Sequence, residues 1–498
     1  GRISYYNIGG FPTVMFDGTI AVVGGSAEIA TGSSYDPIVA KNIGQPSPFH
    51  IQINSVDVAY PDGSVNFDVI VEEALADIGN VKIRAMLLEN NVPWGSSDIM
   101  QDVTRDVLPD VVLTVSQLGQ TQNVQASFPL DAAWKTNDLW LAILIQDDDD
   151  KSILQSRSSR PDPAYSIRYW KKGSSIAVRP PASGVHEFQE MAIYNLGTNP
   201  DVIRATIDPG TIPADWSFVL SDGVNEYSTF VDVSLAPGEG RIFQAKMSVG
   251  DSGHGVARVV LTSDHLPGTI REIPYGVVTD DLQVLVVDDD GAQNYESLHA
   301  AALDALGVTY GIWPRAIAEV AGSDLMNFDL VAWGTALSYP TLDAADRAAL
   351  GAYLDAGGKL FLSGQEIGWE MNDTGGPAIA WYNQYLHANF VSDDANQNVV
   401  NGISGDPISN GLSIPLTAAL NPYPDIISPR DGMATPIFNY GSGTNRAGLK
   451  VDTGVYKLVY LGFGYEAITA EANRTLLMQR VLGWLDSASS VDDPMTAR

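Results

Sequence analysis

The hydrophobic pattern of this 498-residue chain changes near residue 281, and this change limits the possible folds more than any other feature. Before that point, short segments alternate apolar and polar residues, which is typical of half-buried strands. Residues 284–287 are continuously apolar, as in parallel strands that are buried on both faces. Strand and helix patterns then alternate to about residue 362 and, after an irregular stretch, resume from 458 to 485. The pattern predicts β-sandwich modules followed by a doubly wound α/β domain.

Composition excludes several classes of function. Asp and Glu number 60 against 28 Lys and Arg, so the formal net charge is −32. Such a surface repels nucleic acid and anionic lipid, and it suits an extracellular setting with salt or divalent cations. The chain has no Cys, which excludes thiolate catalysis and disulfides. The longest apolar run, 139–145, is far shorter than the roughly 20 residues of a membrane span.

The first 45 residues predict a hairpin and a helix. Strands Thr13–Phe16 and Ile20–Val23 flank an Asp-Gly turn, and a helix follows within 33–41. Pro12 lies directly before the first strand, in the order Phe-Pro-Thr. This order resembles the C-terminal half of a thioredoxin-like domain in a family of exported bacterial outer-membrane-associated proteins, where the proline is cis. An ordinary hairpin and helix is the alternative.

That resemblance carries an expectation about partners. In a complete thioredoxin-like sheet, the strand after the proline pairs with a strand from the N-terminal half. We therefore expect a homo-oligomer or filament, or a bound N-terminal fragment, to supply the neighbouring strand. Because the first residues have no signal-peptide character, an exported protein would be present in a processed form.

Two sandwich modules are predicted between residues 46 and 280. In 46–156, alternation predicts strands at 50–56, 66–71, 81–88, 111–115, 124–128 and 139–145. The polar stretch 157–164 contains two prolines and predicts a linker. In 165–280, an Asn-x-Gly turn, a Pro-x-x-Trp motif ending at Trp216 and a Pro-Gly-Glu turn resemble bacterial extracellular immunoglobulin-like modules. Trp216 is interpreted as a core anchor.

The α/β domain is predicted to span 281–487, followed by a polar tail at 488–498. Helices are expected at 295–306, 342–354 and 472–485, with Thr341 capping the second. Ligands of such sheets bind at the carboxyl ends of the strands. These ends carry Asp288-Asp289-Asp290, then Trp333-Gly334-Thr335, then Ser363-Gly364-Gln365-Glu366, and finally the run from Gly462 to Glu466.

The order of residues at 360–368 resembles the nucleophile elbow of the class I glutamine amidotransferase-like (flavodoxin-like) superfamily. This chain has Gln365 or Glu366 where active members have Cys, and no histidine near Tyr465, where the family's histidine would fall. Glu466 stands where the supporting acid belongs. The resemblance thus implies a degenerate active site without a catalytic nucleophile. Ser363 with His387 as its base is the hydrolytic alternative, and His299 is interpreted as an ordinary helix residue.

Carboxylates and aromatic residues are the remaining candidates at this edge. Asp288, Asp289 and Asp290 could bind Ca²⁺ or Mg²⁺ through oxygen, but a solvated, helix-capping role is favoured. We therefore expect no cofactor, with calcium as the alternative. Trp333, Trp369 and Tyr465 could form a carbohydrate-binding surface together with the acids, or they could pack in the core.

These observations predict a non-catalytic extracellular or cell-surface protein with a structural or adhesive role. Its binding residues would be Asp288, Asp290, Trp333, Gln365, Trp369 and Tyr465. The alternative is a secreted carbohydrate-active or ester hydrolase that acts at the carboxyl edge of the α/β sheet, through Ser363, Glu366, His387 or Glu466. Fold alone does not decide between the two.

Overall fold

The computed structural model of the protein describes residues 5–6, 13–23, 47–75, 78–94, 98–291 and 293–487. These residues form several β-sheets and comparatively few helices, so the protein is β-rich and multidomain. They divide into two compact units. One extends to Trp170 and includes 194–200 and 236–239, and the other contains 171–193, 201–235 and the described residues from 240 onward.

A hairpin lies at the start of the first unit. Strands β1 (Thr13–Phe16) and β2 (Ile20–Val23) pair antiparallel across a turn in which Asp17 and Gly18 have φ of 46° and 76°. Positive φ at two successive residues explains the Asp-Gly sequence. The two strands agree with the prediction. The expected cis bond at Pro12 and the helix within 33–41 lie outside the described residues.

The first sandwich buries one face of each of its two sheets. Its strands are β3 (Phe49–Asp57), β4 (Asp62–Val71), β5 (Val81–Glu89), β6 (Val92–Trp94), β7 (Asp98–Met100), β8 (Val103–Val107), β9 (Val111–Val112), β10 (Thr121–Pro129), β11 (Leu139–Asp147) and β12 (Ile153–Ser158). One sheet has the order β10-β4-β3, and the other has the order β12-β11-β5-β8. Phe67, Leu87 and Ile143 lie in the shared core. In β4 and β11, the alternation of buried residues with less buried ones is the period that predicted these strands.

The predicted linker at 157–164 starts inside this sandwich. Strand β12 continues to Ser158, and the Ser159 N–H donates a hydrogen bond to the Leu141 carbonyl at 2.9 Å. The Arg160 guanidinium lies 3.6 Å from the centre of the Trp140 ring. The prediction was wrong at this boundary because β12 is an edge strand whose polar side chains show no apolar alternation.

The second sandwich contains ten strands among the described residues. They are β13 (Ile167–Lys171), β14 (Ile176–Arg179), β15 (Gly184–Asn195), β16 (Asp201–Asp208), β17 (Ser217–Ser221), β18 (Glu226–Tyr227), β19 (Phe230–Leu235), β20 (Gly240–Val249), β21 (His254–Thr262) and β22 (Arg271–Thr279). One sheet contains β15-β20-β17-β18, and the other has the order β14-β22-β21-β16-β19. Trp216 is buried, and its indole N–H donates to the Asp251 carbonyl at 3.0 Å. It therefore packs as an anchor of the core.

A mixed sheet forms the centre of the C-terminal region. Its strands are β23 (Val284–Asp288), β24 (Tyr310–Pro314), β25 (Leu330–Ala336), β26 (Lys359–Gly364), β27 (Ala388–Ser392), β28 (Val399–Gly402), β29 (Ser413–Pro415), β30 (Ile426–Pro429), β31 (Ala434–Tyr440), β32 (Arg446–Asp452) and β33 (Lys457–Leu461). Strands β24-β23-β25-β26-β33 are parallel, and β32-β31-β28-β29 continue the sheet antiparallel. The antiparallel part lies in a stretch that showed no regular pattern in the sequence.

Helices cover both faces of the parallel strands. They are α1 (Glu296–Leu306), α2 (Gly322–Leu325), α3 (Ala344–Asp355), α4 (Ile367–Thr374), α5 (Gly376–Tyr385) and α6 (Glu471–Leu485). Val286 packs in one core with residues of α1 and α6, whereas Val287 packs in the other with residues of α3, α4 and α5. Burial on both faces explains the continuous apolar run. Among the described residues, no helix is long and apolar enough to cross a membrane.

Helix α3 begins two residues later than predicted. Its N-cap is Asp343, whose side chain accepts hydrogen bonds from the backbone of Ala345 and Asp346. Thr341, the predicted cap, instead donates its hydroxyl to Glu370 at 2.7 Å. Both residue types can cap a helix, and the tertiary contact to α4 decides which one does.

Candidate functional site

The carboxyl ends of the parallel strands meet at one edge of the sheet. Asp288 at the end of β23 is in register with Gly334 of β25, and Gly334 is in register with Ser363 of β26. Ser363 is in turn opposite Leu461, the last residue of β33. The segments that follow these strands therefore lie side by side, as the sequence pattern predicted.

Three carboxylates gather after the first strand. Asp288, Asp290 and Glu296 each place one oxygen within 4.8 Å of the others. Asp290 accepts hydrogen bonds from the backbone N–H groups of Gln293 and Tyr295 at 2.8 and 2.9 Å, which holds the loop that leads into α1. Glu296 is the first residue of that helix, where the helix dipole favours an acid.

Burial and nearby negative charge disfavour ionisation of Asp288 and Glu296. The pKa of Asp288 is raised to about 8 by burial and then by the nearby charges of Asp290 and Glu296. Burial, with a further contribution from Asp290, also raises the pKa of Glu296. Within the described part of the chain, one oxygen of Asp288 and one of Glu296 are buried without a hydrogen-bond partner. A proton or a cation would satisfy these two oxygens.

Asp289 belongs to a different environment from its two neighbours. It accepts a hydrogen bond from the Trp333 indole N–H at 3.0 Å. Burial and the charge of Asp346 raise its pKa, while Arg315 acts in the opposite direction. In extended chain, successive side chains point to opposite sides. The run of three aspartates is therefore divided, and Glu296 takes the place beside Asp288 and Asp290 that the sequence assigned to Asp289.

A small cavity of about 10 Å³ adjoins the cluster. Its lining includes Asp288, Asp290, Glu296, His299 and Glu466. This is room for about one water molecule. One carboxylate oxygen of Glu466 is buried and has no hydrogen-bond partner in the described ranges, and burial raises the pKa of this residue to about 7.

His299 is a buried residue of this site that sequence reasoning set aside. It is 3% exposed, and its ring stacks on Tyr465 with 4.4 Å between centroids. Burial lowers its pKa to about 4, so the ring is neutral at physiological pH. The sequence could have indicated that His299 belongs to this site. It lies on α1 three residues after Glu296, and residues three apart share a helix face.

The elbow position is occupied by side chains with structural partners. Gln365 is buried, and its amide oxygen accepts a hydrogen bond from the Tyr423 N–H at 3.1 Å. Glu366 is half-buried, and its pKa is raised to about 7 by burial and by Asp393. One of its oxygens has no hydrogen-bond partner in the part of the chain that the structure describes. Asp425, which the sequence did not indicate, accepts hydrogen bonds from the first turn of α4. No pattern in the sequence around Asp425 indicates this contact.

Ser363 and His387 lie at opposite ends of the sheet. His387 contacts the hydroxyl of Tyr456 at 3.0 Å and Asp431 at 2.7 Å. Tyr456 precedes β33, whereas Ser363 is opposite its last residue, Leu461. Five residue steps along the chain separate Tyr456 from Leu461, which corresponds to roughly 17 Å in a strand. The structure therefore does not bring this serine and histidine together.

The aromatic candidates divide into core and surface residues. Trp333 and Tyr465 are fully buried, and the Tyr465 hydroxyl donates to the Arg474 carbonyl at 3.0 Å. Neither offers a ring face to a ligand at the surface. Trp369 is partly exposed and lies 6.3 Å from the ring of Tyr339, which is 56% exposed. Tyr339 was missed because it lies in a loop without periodic pattern.

Comparisons with known proteins assign no family to the chain. No family model matches it, and no curated protein matches it. Similar solved structures include the N-terminal domain of PorA (14% identity, 23% of this chain and 97% of that one, TM-score 0.19). HBP35 of Porphyromonas gingivalis is 14% identical over 55% of this chain and 78% of its own, with a TM-score of 0.26. The exo-chitosanase CsxA of Amycolatopsis orientalis is 13% identical over 46% of this chain and 26% of its own, with a TM-score of 0.19. Similarities of this size assign neither fold nor activity.

Proposed function

We propose that this chain is a non-catalytic surface protein with a structural or adhesive role. Its C-terminal domain would be a doubly wound, amidotransferase-like fold that binds a ligand without cleaving it. An exported protein with a net charge of −32 would remain soluble and repel other acidic surfaces. The proposal also includes association between copies of this chain. Native mass spectrometry tests this, and we expect it to detect species larger than one chain.

The main support for this proposal is that Gln365, at the elbow position, is buried and hydrogen-bonded to the backbone. A carboxamide is not a nucleophile, and this one is buried and holds the Tyr423 backbone. Ser363 is also buried, and its hydroxyl has no hydrogen-bond partner among the described residues. A serine without a base in contact is not activated for attack on a carbonyl.

The surface best suited to binding is the aromatic pair Tyr339 and Trp369. Partly exposed rings beside carboxylates match the hydrophobic faces and hydroxyl groups of sugars. Glu370 and Asp373 act electrostatically on Tyr339, so acids are close by. The pair supports carbohydrate as the ligand class of the adhesive role.

Glycan-array binding by the purified chain tests this assignment. We expect Trp369→Ala and Tyr339→Ala to remove binding, and Phe230→Ala to leave it unchanged. Phe230 is the matched control because it is a 48% exposed aromatic residue in the second sandwich. Equal binding by all variants would contradict the assigned surface.

A hydrolase remains the second candidate because of Glu366. A half-buried carboxyl group whose pKa is raised to about 7, beside the charge of Asp393, has the properties of a general acid. A panel of esters, amides and glycosides decides between the two candidates. The first candidate predicts no turnover above that of a Ser363→Ala/Glu366→Gln double variant. Turnover by the unaltered chain that Glu366→Gln alone abolishes would establish the hydrolase.

A further inference from the structure

The carboxylates after the first parallel strand lie close enough to share one ion. Asp288, Asp290 and Glu296 come from a strand end, a loop and a helix start, and one oxygen of each lies within 4.8 Å of the others. Calcium binds oxygen at about 2.3–2.6 Å, so two ligands on opposite sides of the ion are about 4.6–5.2 Å apart. The spread of the three oxygens fits within that span.

A second observation points to a ligand at the same place. Glu466 follows the last parallel strand, is 3% exposed, and lines the cavity beside the three acids. One of its oxygens has no hydrogen-bond partner among the residues that the structure describes. A buried carboxylate oxygen is costly to leave unpaired, and a cation in the cavity would satisfy it. This oxygen comes from a residue more than 160 positions along the chain from the cluster.

We propose that Asp288, Asp290 and Glu296, with Glu466 facing them, form a binding site for one calcium ion. The ligands are all hard oxygens, which suit calcium and magnesium and exclude metals that prefer sulfur or nitrogen. Calcium is the better fit because it accepts irregular sets of carboxylates, whereas magnesium demands near-octahedral geometry and retains most of its water. The ion would tie the first helix to the last parallel strand.

The site has a consequence for the apo protein. Without a cation, the carboxylates lie close enough to repel one another in a partly buried setting. Calcium would relieve this repulsion and stabilise the fold. In buffer that contains a chelator, replacing one of these acids by its amide should relieve the repulsion. The melting temperature of the variant should then equal or exceed that of the unaltered chain.

Calorimetric titration of the full chain with CaCl₂ tests the proposal. The protein is first stripped with a chelator, and about 0.15 M KCl screens loose binding to the acidic surface. We expect one calcium per chain and a rise in melting temperature. Glu296→Gln and Asp288→Asn should each weaken binding by more than the roughly 10- to 100-fold that loss of an outer-shell partner costs.

Asp304→Asn is the matched control, because Asp304 is an exposed acid on the same helix. It should bind calcium as the unaltered chain does. Equal affinity in all three variants, or no binding by the unaltered chain, would overturn the proposal. Magnesium binding without calcium binding would overturn the choice of ion.

A luminescence experiment tests the site with a variant that leaves all four proposed ligands in place. Tyr295 lines the cavity and can transfer excitation energy to bound terbium. Terbium emission that calcium displaces, and that Tyr295→Phe reduces at unchanged calcium affinity, is the expected result. Emission unaffected by Tyr295→Phe would place the bound ion elsewhere and contradict the site.

Discussion

The carboxylate of Asp425 accepts a hydrogen bond of 2.6 Å from the backbone N–H of Gly368. It also accepts from the Trp369 N–H at 3.2 Å. Asp425 is fully buried, and burial raises its pKa well above the ordinary range. The side chain thus satisfies the first turn of α4 from the residue that directly precedes β30, and it holds the segment after Glu366 in place.

Removing this contact should destabilise the C-terminal domain. We expect Asp425→Ala to lower the free energy of unfolding by about 2 kcal/mol, because two buried N–H groups lose their acceptor. Asp425→Asn should cost less, since the amide oxygen can still accept. Urea unfolding of both variants is the measurement, and equal losses in the two would contradict the hydrogen-bond explanation.

Gly364 at the end of β26 should not tolerate a side chain. A Cβ there would lie 2.1 Å from the hydroxyl oxygen of Thr335 and 2.9 Å from Ile367. We expect Gly364→Ala to destabilise by about 1–3 kcal/mol through overpacking. Gly483 is the matched control, because it lies in α6 with nothing within 4 Å of its Cβ position. Gly483→Ala should stabilise by about 0.5–1 kcal/mol, since alanine favours helix. In thermal melts, we expect the melting temperature to fall for Gly364→Ala and to rise for Gly483→Ala.

His299 should make stability depend on pH in acid. Its folded pKa of about 4 lies below the usual 6.5 because the ring is buried. The unfolded chain therefore takes up a proton first, and stability is lost as pH falls from 6.5 towards 4, by roughly 3 kcal/mol at about 1.36 kcal/mol per pH unit. Unfolding measured with a chelator should show this loss in the unaltered chain relative to His299→Gln. A difference between the two that stays constant from pH 7 to 4 would refute it.

Salt should stabilise the protein. The net charge of −32 produces self-repulsion, which screening reduces as the Debye length falls from about 30 Å at 0.01 M to about 3 Å at 1 M. Melting temperature should therefore rise with NaCl. Calcium at matched ionic strength should raise it further, and Glu296→Gln should remove only that additional part. A melting temperature that is flat or falls with NaCl would count against this explanation.

The sequence alone determined the parts of the fold that depend on local periodicity. The first helix of the C-terminal domain was predicted at 295–306 and is Glu296–Leu306, because apolar spacing and the following glycine mark its face and its end. The parallel strands were recognised because both of their faces are buried, which requires an unbroken apolar run. The carboxyl ends of parallel strands meet at one edge of the sheet, so the edge that carries the candidate site could be named in advance.

Tertiary packing alone decided which side chains meet at that edge. Asp288 and Asp289 are adjacent and chemically identical, yet one joins Glu296 and the other contacts Trp333. Asp425 reaches Gly368 from 57 residues away, and no pattern in either segment indicates the contact. Local sequence patterns reflect the periodicity of helices and strands, which depends on neighbouring residues. Contacts between distant residues depend on how whole elements pack, and a single sequence carries no local trace of that packing.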